Sequence, residues 1–470
     1  MPAIVLCNTV TGIATVRALA ECGVEVHACL FRADDPLIES RYAIKIACYH
    51  LQHDEAGLVE FLIDYAGKLG NRSAAEGIPR SANGATRGNR SVTETQLRKS
   101  HEAPTGRRGA AEGIPRSANG ATRDNRPVVL PTGDAHALLL AKYAEQLAPH
   151  CRVWQLPHEQ LTRIVDKTLL YEAARTAGVP TMPSLAAPSL TELLEWSRQH
   201  DGPYILKPSY DGIHSCKLPG KNLVLENREQ LLTYVRNHGA ESLVVQRMIR
   251  GGDGNIFDCY GLCDANGRVV CLTSHQRIRQ FPPNFGATCM GEIPAPLPTR
   301  DEQFLFAATE RLFNTVRFHG IFGIEWLREE TTGAFYLIDF NARPFLTIGH
   351  LRDCGVNLPL LAYRDLIGES LAAVPPRPAV RRKRWVYISK DIDTFRILRE
   401  SGQQPGLLPW LASVASCSSF AYVSFRDPMP GVRSILQIVG RSLRYLVRAG
   451  RSKELAAAAN SGTQAETLPR

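Results

Sequence analysis

The chain has 470 residues, of which 44% are hydrophobic and 21% charged, a composition typical of globular proteins with several domains. No apolar run approaches the roughly 20 residues that a membrane-spanning helix needs, so a spanning protein is excluded. The formal net charge is +9, and the twelve cysteines include no C-x-x-C pair, so neither a disulfide framework nor a zinc site is expected. This cysteine pattern favours a cytoplasmic location, and the first residues, MPAIVLCNTV, are typical of a β-strand and not of a signal peptide.

Strands and helices alternate in the first predicted domain, residues 1–157. Apolar strands are predicted at AIVLCN, VEVHACLF and PVVLPTGD, and helices at Gly12–Cys22, LVEFLIDYAGKL and HALLLAKYAEQL. This alternation predicts a parallel sheet covered by helices, which is a Rossmann-like arrangement. The first strand–helix turn lacks the G-x-G-x-x-G fingerprint, so no dinucleotide is expected there.

The positive charge is concentrated in one segment, residues 71–126, which holds eleven Lys and Arg residues against five Asp and Glu. The sequence AAEGIPRSANGATR occurs in it twice, at Ala74–Arg87 and at Ala110–Arg123. Because large apolar residues are nearly absent, we predict a disordered repeat insertion in a surface loop. A basic arm that binds nucleic acid is the alternative, but aromatic residues for base stacking are missing, and no nucleic-acid partner is expected.

Two lysines are the first signals in residues 158–369. Asp166-Lys167 opens a predicted helix, and a lysine at a helix start faces an unfavourable dipole, so Lys167 should have an anionic partner. Lys207 lies in the strand YILKPS, where an inward lysine is costly unless it is paired, and a polar, flexible stretch follows. This arrangement suits phosphate binding under a lid. Solvent-facing lysines are the alternative interpretation.

The third signal is the apolar strand LVVQRMIRGGDG, which breaks at a Gly-rich turn. Backbone groups freed at such a break can pair with the edge of an adenine ring, and Gln246 can add a side-chain contact. A simple strand end explains this segment equally well.

The fourth signal is the stretch IFGIEWLREETTGAFYLIDFNARP, in which two predicted strands flank a turn at Thr331–Gly333. Glu325 lies on the first strand, and the two-residue period of the second places Asp339, Asn341 and Arg343 on one face. Carboxylate and amide oxygens beside a phosphate are ligands that Mg²⁺ uses, and an arginine can fork onto the transferred phosphate. The sequence therefore predicts a magnesium and phosphate site on this hairpin.

In this order, the four signals resemble the ATP-grasp superfamily over roughly residues 1–370. The stretches RIRQFPPNFGATCMGE and NARPFLTIGHLRDCGVNLPLLAYRDLIG resemble its carboxylate–amine ligase branch, which includes proteins similar to D-aspartate ligases and to carbamoyl-phosphate synthases. The expected fold is mixed α/β and α+β. The expected domains are a Rossmann-like domain at 1–157, a two-lobed ATP-grasp domain at 158–369, a C-terminal appendage at 370–450 and a disordered tail at 451–470.

The resemblance also implies roles for individual residues. Lys167 and Lys207 would bind the phosphates of ATP, and Lys217, on the loop after Lys207, would add a phosphate contact. The implied adenine-binding segment is Val245–Ile249, with Val245, Gln246, Met248 and Ile249 as its contacts, and Asp253 or a neighbour would hold the ribose. Glu325, Asp339 and Asn341 would bind Mg²⁺ or Mn²⁺, and Arg343 would stabilise the transferring phosphoryl group.

Two further arginines, Arg277 and Arg279, precede Phe281-Pro282-Pro283. On a loop facing the γ-phosphate they would clamp the substrate carboxylate or its acylphosphate, with Arg279 as a catalytic residue. Solvent-exposed arginines on a strand are the alternative.

The function that the resemblance implies is an ATP-dependent ligase that joins a small carboxylate to an amine through an acylphosphate. Carbamoyl-phosphate chemistry is a second possibility, and an ATP-binding regulatory protein without turnover is a third. The expected partners are the small-molecule substrates, with a second copy of the chain as a further candidate and no membrane partner.

Overall fold

The computed structural model describes residues 1–75, 124–154, 156–208, 218–219, 222–241, 243–403 and 406–441, and the side chains of 71–75 are excluded. No helix among these residues has both the length and the apolar composition required to cross a bilayer.

The N-terminal region contains a four-stranded parallel sheet with the order β3-β2-β1-β4. Its elements are β1 (Ala3–Cys7), α1 (Thr9–Ala20), β2 (Val26–Leu30), β3 (Ile44–Ala47), α2 (Glu55–Ala75), β4 (Val128–Pro131), α3 (Asp134–Lys142) and α4 (Ala144–Leu147). All residues of β1, β2 and β4 are buried, as expected for a parallel sheet with both faces covered. The predicted Rossmann-like sheet is confirmed, while the short strand β3 was not predicted.

A small antiparallel sheet, with the order β5-β8-β6-β7, forms one lobe of the following region. Its elements are α5 (His158–Val165), α6 (Lys167–Thr176), β5 (Ser184–Ala186), α7 (Leu190–Gln199), β6 (Tyr204–Pro208), β7 (Leu223–Leu225), α8 (Arg228–His238) and β8 (Leu243–Arg247). Tyr204 and Leu206 of β6 pack with Leu231 of α8 and Leu193 of α7 in its core. The lobe therefore presents the opposite side of β6, with Lys207, away from this core.

The second lobe is built on a seven-stranded sheet with the order β13-β12-β9-β10-β11-β14-β15. Its elements are β9 (Ile256–Cys263), β10 (Val269–Phe281), β11 (Ala287–Ile293), α9 (Thr299–Thr315), β12 (Gly320–Arg328), β13 (Phe335–Asn341), α10 (Ile348–Asp353) and α11 (Leu358–Leu366). A cluster of aromatic side chains, including Phe313, Phe318, Phe322 and Phe340, packs between this sheet and α9. This core fixes the hairpin β12–β13 on which the predicted metal ligands lie.

The predicted C-terminal appendage is joined to the large sheet. It contains β14 (Lys383–Val386), α12 (Ile388–Glu400), α13 (Leu407–Ala415), β15 (Ser419–Phe420) and a helix over residues 429–441, here α14. Strand β14 pairs antiparallel with β11, and β15 pairs parallel with β14. A buried ion pair between Arg17 and Asp427, at 3.0 Å, links this region to α1 of the N-terminal domain.

Most of the predicted insertion, residues 76–123, lies outside the described residues, as does the predicted tail at 451–470. The two ends of the insertion are described. Helix α2 continues to Ala75, and Asp124 accepts hydrogen bonds from Arg126 and from Arg152, the latter at 2.8 Å. The predicted boundaries of 71 and 126 therefore include residues that belong to the folded N-terminal domain.

Candidate active site

A cavity of about 670 Å³ lies between the small antiparallel sheet and the seven-stranded sheet. Strand β6 contributes Ile205 and Lys207 to its lining, and the end of β8 contributes Met248 and Ile249. The opposite wall carries the polar side chains of β9, β10, β12 and β13. Most of the sequence-predicted site residues therefore meet at this cavity.

The hairpin β12–β13 brings the predicted metal ligands together. Glu325 and Asp339 are directly opposite each other in the antiparallel register, and Asn341 Nδ2 donates a hydrogen bond of 3.0 Å to Glu325 Oε1. All three residues, and Arg343 beyond the end of β13, line the cavity. The two-residue period placed these side chains on the same face, as predicted.

Lys167 has the anionic partner that its position at a helix start predicted. Asp166 caps α6 by accepting hydrogen bonds from the backbone of Thr168 and Leu169, which directs Lys167 into the cavity. Lys167 Nζ lies 2.7 Å from Asp339 Oδ1. Burial lowers the pKa of Lys167, but the negative charge of Asp339 outweighs this effect, so the pKa is raised above its ordinary value. Lys167 is therefore positively charged beside a proposed metal ligand.

Lys207 lies on the cavity side of β6 and donates a 2.8 Å hydrogen bond to Gln246 Oε1 of the adjacent strand β8. Gln246 is fully buried, so its amide orients Lys207 and does not face the cavity as predicted for an adenine contact. Lys207 itself lines the cavity, so it is the inward-facing lysine that the strand pattern predicted.

The predicted adenine segment divides between core and cavity. Val245 is fully buried in the core of the small lobe, whereas Met248 and Ile249 line the cavity. The backbone N–H of Met248 donates to Pro203 O at 2.8 Å, so this donor is already used within the protein. The side chains of Met248 and Ile249 are therefore the described contacts of this segment with the cavity.

Asp253 is not among the residues that line the cavity, whereas its neighbour Gly252 is. Its carboxylate accepts three hydrogen bonds of 2.9 Å, from the backbone and the side chain of Gln280 and from the backbone of Asn284. It thereby holds the β10–β11 turn, and its assignment to the ribose stays a prediction. Glu330, which sequence analysis did not identify, lines the cavity nearby and accepts a hydrogen bond from Gly252 N.

The two arginines of β10 face opposite sides of the sheet because register shifts occur around Arg279 in the pairing with β11. Arg277 lines the cavity, where its Nη2 lies 2.7 Å from Asp258 Oδ1 and 2.6 Å from Glu325 Oε1. Arg279 forks onto Asp391 of α12, at 2.6 and 2.9 Å. The prediction that Arg279 contacts the substrate does not fit this position, since its guanidinium is engaged outside the cavity.

A buried polar network holds the guanidinium of Arg277 in place. Asp258 is 1% exposed and accepts hydrogen bonds from Arg277 and from His275 Nδ1, the latter at 2.7 Å. The Tyr260 hydroxyl lies 3.2 Å from the same nitrogen and accepts a hydrogen bond from Thr347. Burial raises the pKa of Asp258, but the positive charge of Arg277 and the contact with His275 outweigh it, so the pKa is lowered and the carboxylate stays ionised. Sequence analysis missed this network because its members are dispersed along the chain.

Arg343 reaches the cavity from the end of β13 and forks onto Asp134 with two hydrogen bonds of 2.9 Å. Asp134 begins α3 of the N-terminal domain, so this pair joins that domain to the hairpin. The bidentate geometry predicted for a phosphate is thus formed with a carboxylate of the same chain.

Solved structures similar to this chain include N5-carboxyaminoimidazole ribonucleotide synthetase in complex with ADP, with 13% identity and a TM-score of 0.55, covering 85% of each chain. N5-carboxyaminoimidazole synthetase from Staphylococcus aureus complexed with ADP has 12% identity and a TM-score of 0.55, over 85% of this chain and 86% of that chain. Biotin carboxylase from Campylobacter jejuni, in a β,γ-ATP complex, has 14% identity and a TM-score of 0.53, over 81% of this chain and 74% of that chain. The chain has the ATP-grasp fold.

This likeness confirms the fold that the sequence motifs predicted, including the parallel sheet that precedes the two lobes. Comparison of the sequence with protein-family models and with curated proteins gives no match. The ATP-grasp cavity and the side chains that line it are therefore the basis for a functional proposal.

The hairpin of this ATP-grasp fold has a donor set that suits Mg²⁺. Glu325, Asp339 and Asn341 supply hard oxygen atoms, and Mg²⁺ is often bound by one or two carboxylates completed by substrate phosphates. In the described part of the chain, no group of three or more His, Cys, Asp or Glu residues can hold a metal ion. With two carboxylates and one amide, the set formed by Glu325, Asp339 and Asn341 fits a metal that shares its coordination with a nucleotide. Lys217, the remaining predicted phosphate contact, lies outside the described residues.

Proposed function

We propose that this protein is an ATP- and Mg²⁺-dependent ligase that joins a carboxylate to an amine through an acylphosphate. The observation that carries the proposal is the convergence, in one cavity, of two acidic residues and an amide with the cationic groups of Lys167, Lys207 and Arg277. Mixed charges of this kind suit a triphosphate with its metal, because phosphoryl transfer depends mainly on positioning and charge neutralisation. The ATP-grasp neighbours in complex with ADP support this assignment.

We assign separate tasks to the residues of the two walls. Lys167 and Lys207 would bind ATP phosphates, Met248 and Ile249 would contact the adenine ring, and Arg343 would stabilise the transferring phosphoryl group. Glu325, Asp339 and Asn341 would hold Mg²⁺ or Mn²⁺, which supplies charge neutralisation at the phosphate oxygens when it is bound.

Arg277 is the residue that we assign to the substrate carboxylate. Its Nη2 is held by Asp258 and Glu325, whereas its Nη1 has only longer contacts, of 3.5 Å to Gln280 and 3.4 Å to Gly286 O. A fixed guanidinium with one edge directed at the cavity suits a carboxylate or an acylphosphate.

The reaction that we propose has two steps. A carboxylate oxygen of the first substrate attacks the γ-phosphorus of ATP, the bond to the β,γ-bridging oxygen breaks, and ADP leaves. The nitrogen of the amine then attacks the acyl carbon, phosphate leaves with the bonding electron pair, and the nitrogen loses a proton. Arg277 and Arg343 would stabilise the negative charge at the acyl and phosphoryl ends of the intermediate.

We also propose that this reaction takes place in the cytoplasm. All eleven cysteines in the described part of the chain are free thiols, and ten of them are buried, which suits a reducing compartment.

ADP release with a panel of amino acids and small carboxylates tests the proposal. We expect release that requires both a carboxylate and an amine, with loss of activity in the Asp339→Asn variant. Release with bicarbonate and without an organic carboxylate would favour carbamoyl-phosphate or carboxyphosphate chemistry. Calorimetric ATP binding without turnover under any condition would favour the regulatory alternative and contradict the ligase.

A further inference from the structure

Helix α14 has an exposed apolar face. Met429, Val432, Leu436 and Val439 are 51%, 43%, 66% and 49% exposed, and Phe425, just before the helix, is fully exposed. Spacings of three and four residues place the four helical side chains of this set along one side of the helix, and Phe425 lies in the turn that precedes it. We call Phe425, Met429, Val432, Leu436 and Val439 the apolar stripe.

The opposite side of α14 is packed on the protein. Gly431, Ser434 and Ile438 line a small cavity together with Tyr387 and Tyr422. Gly431 is in close contact with this surface, because a Cβ at this position would lie 3.1 Å from Val423 Cα. The helix is therefore held with the stripe facing outward.

The sequence around the stripe is strongly basic. Between Phe425 and Lys453 it contains seven Lys and Arg residues and a single acidic residue, Asp427. Asp427 is 1% exposed and is paired with Arg17, so its charge is neutralised within the protein. The seven basic residues are Arg426, Arg433, Arg441, Arg444, Arg448, Arg451 and Lys453, of which the last four lie outside the described residues. Arg433 is paired with Glu39 at 2.7 Å, so Arg426 and Arg441 are the described cations that this pair leaves beside the stripe.

We propose that the apolar stripe docks on the surface of an anionic phospholipid membrane. An amphipathic helix with one apolar side and basic flanks binds such an interface by burying its apolar residues among acyl chains while its cations meet lipid phosphates. This binding is peripheral and requires no spanning helix. It differs from the sequence-based expectation of no membrane partner, because the exposure of the stripe is visible only in the structure.

Other occupants fit the stripe less well. A second copy would bring two basic segments of the same sequence together, and like charges within a Debye length repel each other. Residues 76–123 and 454–470 have few large apolar side chains with which to cover the stripe, and residues 442–453, which contain Leu443, Leu446 and Val447, also carry four of the seven basic residues. An anionic lipid surface supplies both the apolar environment and the opposite charge.

Vesicle co-sedimentation with the full-length chain tests the proposal. Vesicles of phosphatidylcholine mixed with phosphatidylglycerol should retain the protein, and vesicles of phosphatidylcholine alone should retain roughly tenfold less. Raising NaCl from about 0.1 M to about 0.5 M should weaken the retention, because salt screens the attraction. The double variant Val432→Glu, Leu436→Glu should lose roughly tenfold in retention at an unchanged melting temperature, since both side chains are already exposed.

Leu190→Glu is the matched control, because Leu190 is a 36% exposed leucine on α7 of the small lobe. It should leave vesicle retention unchanged. Equal retention of the wild type and the double variant would overturn the proposal, as would no retention of the wild type. Light scattering without lipid that shows a wild-type dimer and a monomeric double variant would also overturn it, because the stripe would then be a self-association surface.

Discussion

Each side of strand β10 carries an arginine that is paired with carboxylates, but only one of the two pairs borders the cavity. On the cavity side, Arg277 pairs with Asp258 and Glu325 and lines the cavity, and its Nη1 has only longer contacts, such as 3.4 Å to Gly286 O. On the other side, Arg279 pairs with Asp391 and also donates to Ser413 Oγ, while Trp410 Nε1 donates to the same Asp391. In this second arrangement, the hydrogen bonds of Arg279 go to residues of the C-terminal helices, and they connect β10 to these helices. A forked arginine–carboxylate pair is therefore a candidate functional group only where it borders a cavity.

The largest expected effect is on the cavity side, at Glu325. Glu325→Gln keeps the size and the hydrogen-bonding capacity of the side chain but removes a metal-ligand charge, so turnover should fall roughly a hundredfold or more. Asp391→Asn is the matched change on the opposite side. It should lower the melting temperature because it weakens a buried ion pair, and it should leave the kcat of the folded enzyme unchanged.

Substrate-dependent ADP release and thermal unfolding of both variants check this contrast. Full activity of Glu325→Gln would contradict the metal-site assignment. Inactivity of a folded Asp391→Asn variant would show that the C-terminal side also takes part in turnover.

A smaller effect is expected when either Arg277 or Arg279 is replaced by lysine. Arg277→Lys keeps the charge but loses the fork that holds Asp258 and Glu325 together, so kcat/KM should fall roughly tenfold to a hundredfold. If Arg277 binds the substrate carboxylate, the KM for that substrate should rise more than the KM for ATP. Arg279→Lys should change the melting temperature alone, and equal kinetic losses in both variants would remove the distinction between the two sides.

The same strands show why part of the site was predictable. From Asp339 to Asn341 the pairing of β13 with β12 has no register shift, although one occurs just before Asp339, and Asp339, Asn341 and Arg343 reach the cavity as the sequence indicated. Along β10 the register shifts around Arg279, so a two-residue spacing no longer means a common face. A bulge adds one residue to one strand, and no residue type in this stretch signals it.

Long-range partners were the other unpredictable part. Lys167 could be expected to have an anionic partner, but only the fold identifies it as Asp339, which lies far along the chain. Asp134 and Asp258 carry no local motif, and their roles depend on the arginines that the fold brings to them. Asp253 occurs at the turn where a ribose contact was expected, yet its carboxylate is used by the β10–β11 turn. Element types follow local patterns, whereas hydrogen-bond partners follow from tertiary structure.

An effect on binding alone is expected at Lys207, which faces the cavity from the small lobe. Lys207→Met removes the ammonium group but keeps the aliphatic chain, so ATP affinity in calorimetry should fall roughly tenfold. Lys390→Met is the matched control, because Lys390 lies outside the cavity with its Nζ 4.0 Å from the ring centroid of Phe281. Unchanged ATP affinity in Lys207→Met would mean that the lysine only supports Gln246.

A half-buried histidine of α3, His136, allows a test by pH. Burial lowers the pKa of His136 to about 4, and in the described part of the chain its Nδ1 has no hydrogen-bond partner. The unfolded chain binds this proton near pH 6.5, so the contribution of His136 to stability should be lost as the pH falls from about 6.5 towards 4. His136→Leu should therefore reduce the drop in melting temperature between these pH values. An identical drop in both proteins would assign the acid sensitivity to other groups.

The smallest effect is expected far from both sides of β10, in the repeat segment. Deletion of residues 76–123 removes a sequence with few large apolar residues, and loop length contributes only about 0.6 kcal/mol per doubling, so stability and ATP affinity should hardly change. Deletion of residues 71–126 also removes the end of α2 and the carboxylate of Asp124 that pairs with Arg152 at 2.8 Å. This wider deletion should cost roughly 1 kcal/mol more, because Arg152 loses its charged partner. Thermal unfolding of the two variants separates the cases, and loss of soluble protein on the shorter deletion would show that the repeats contribute to the fold.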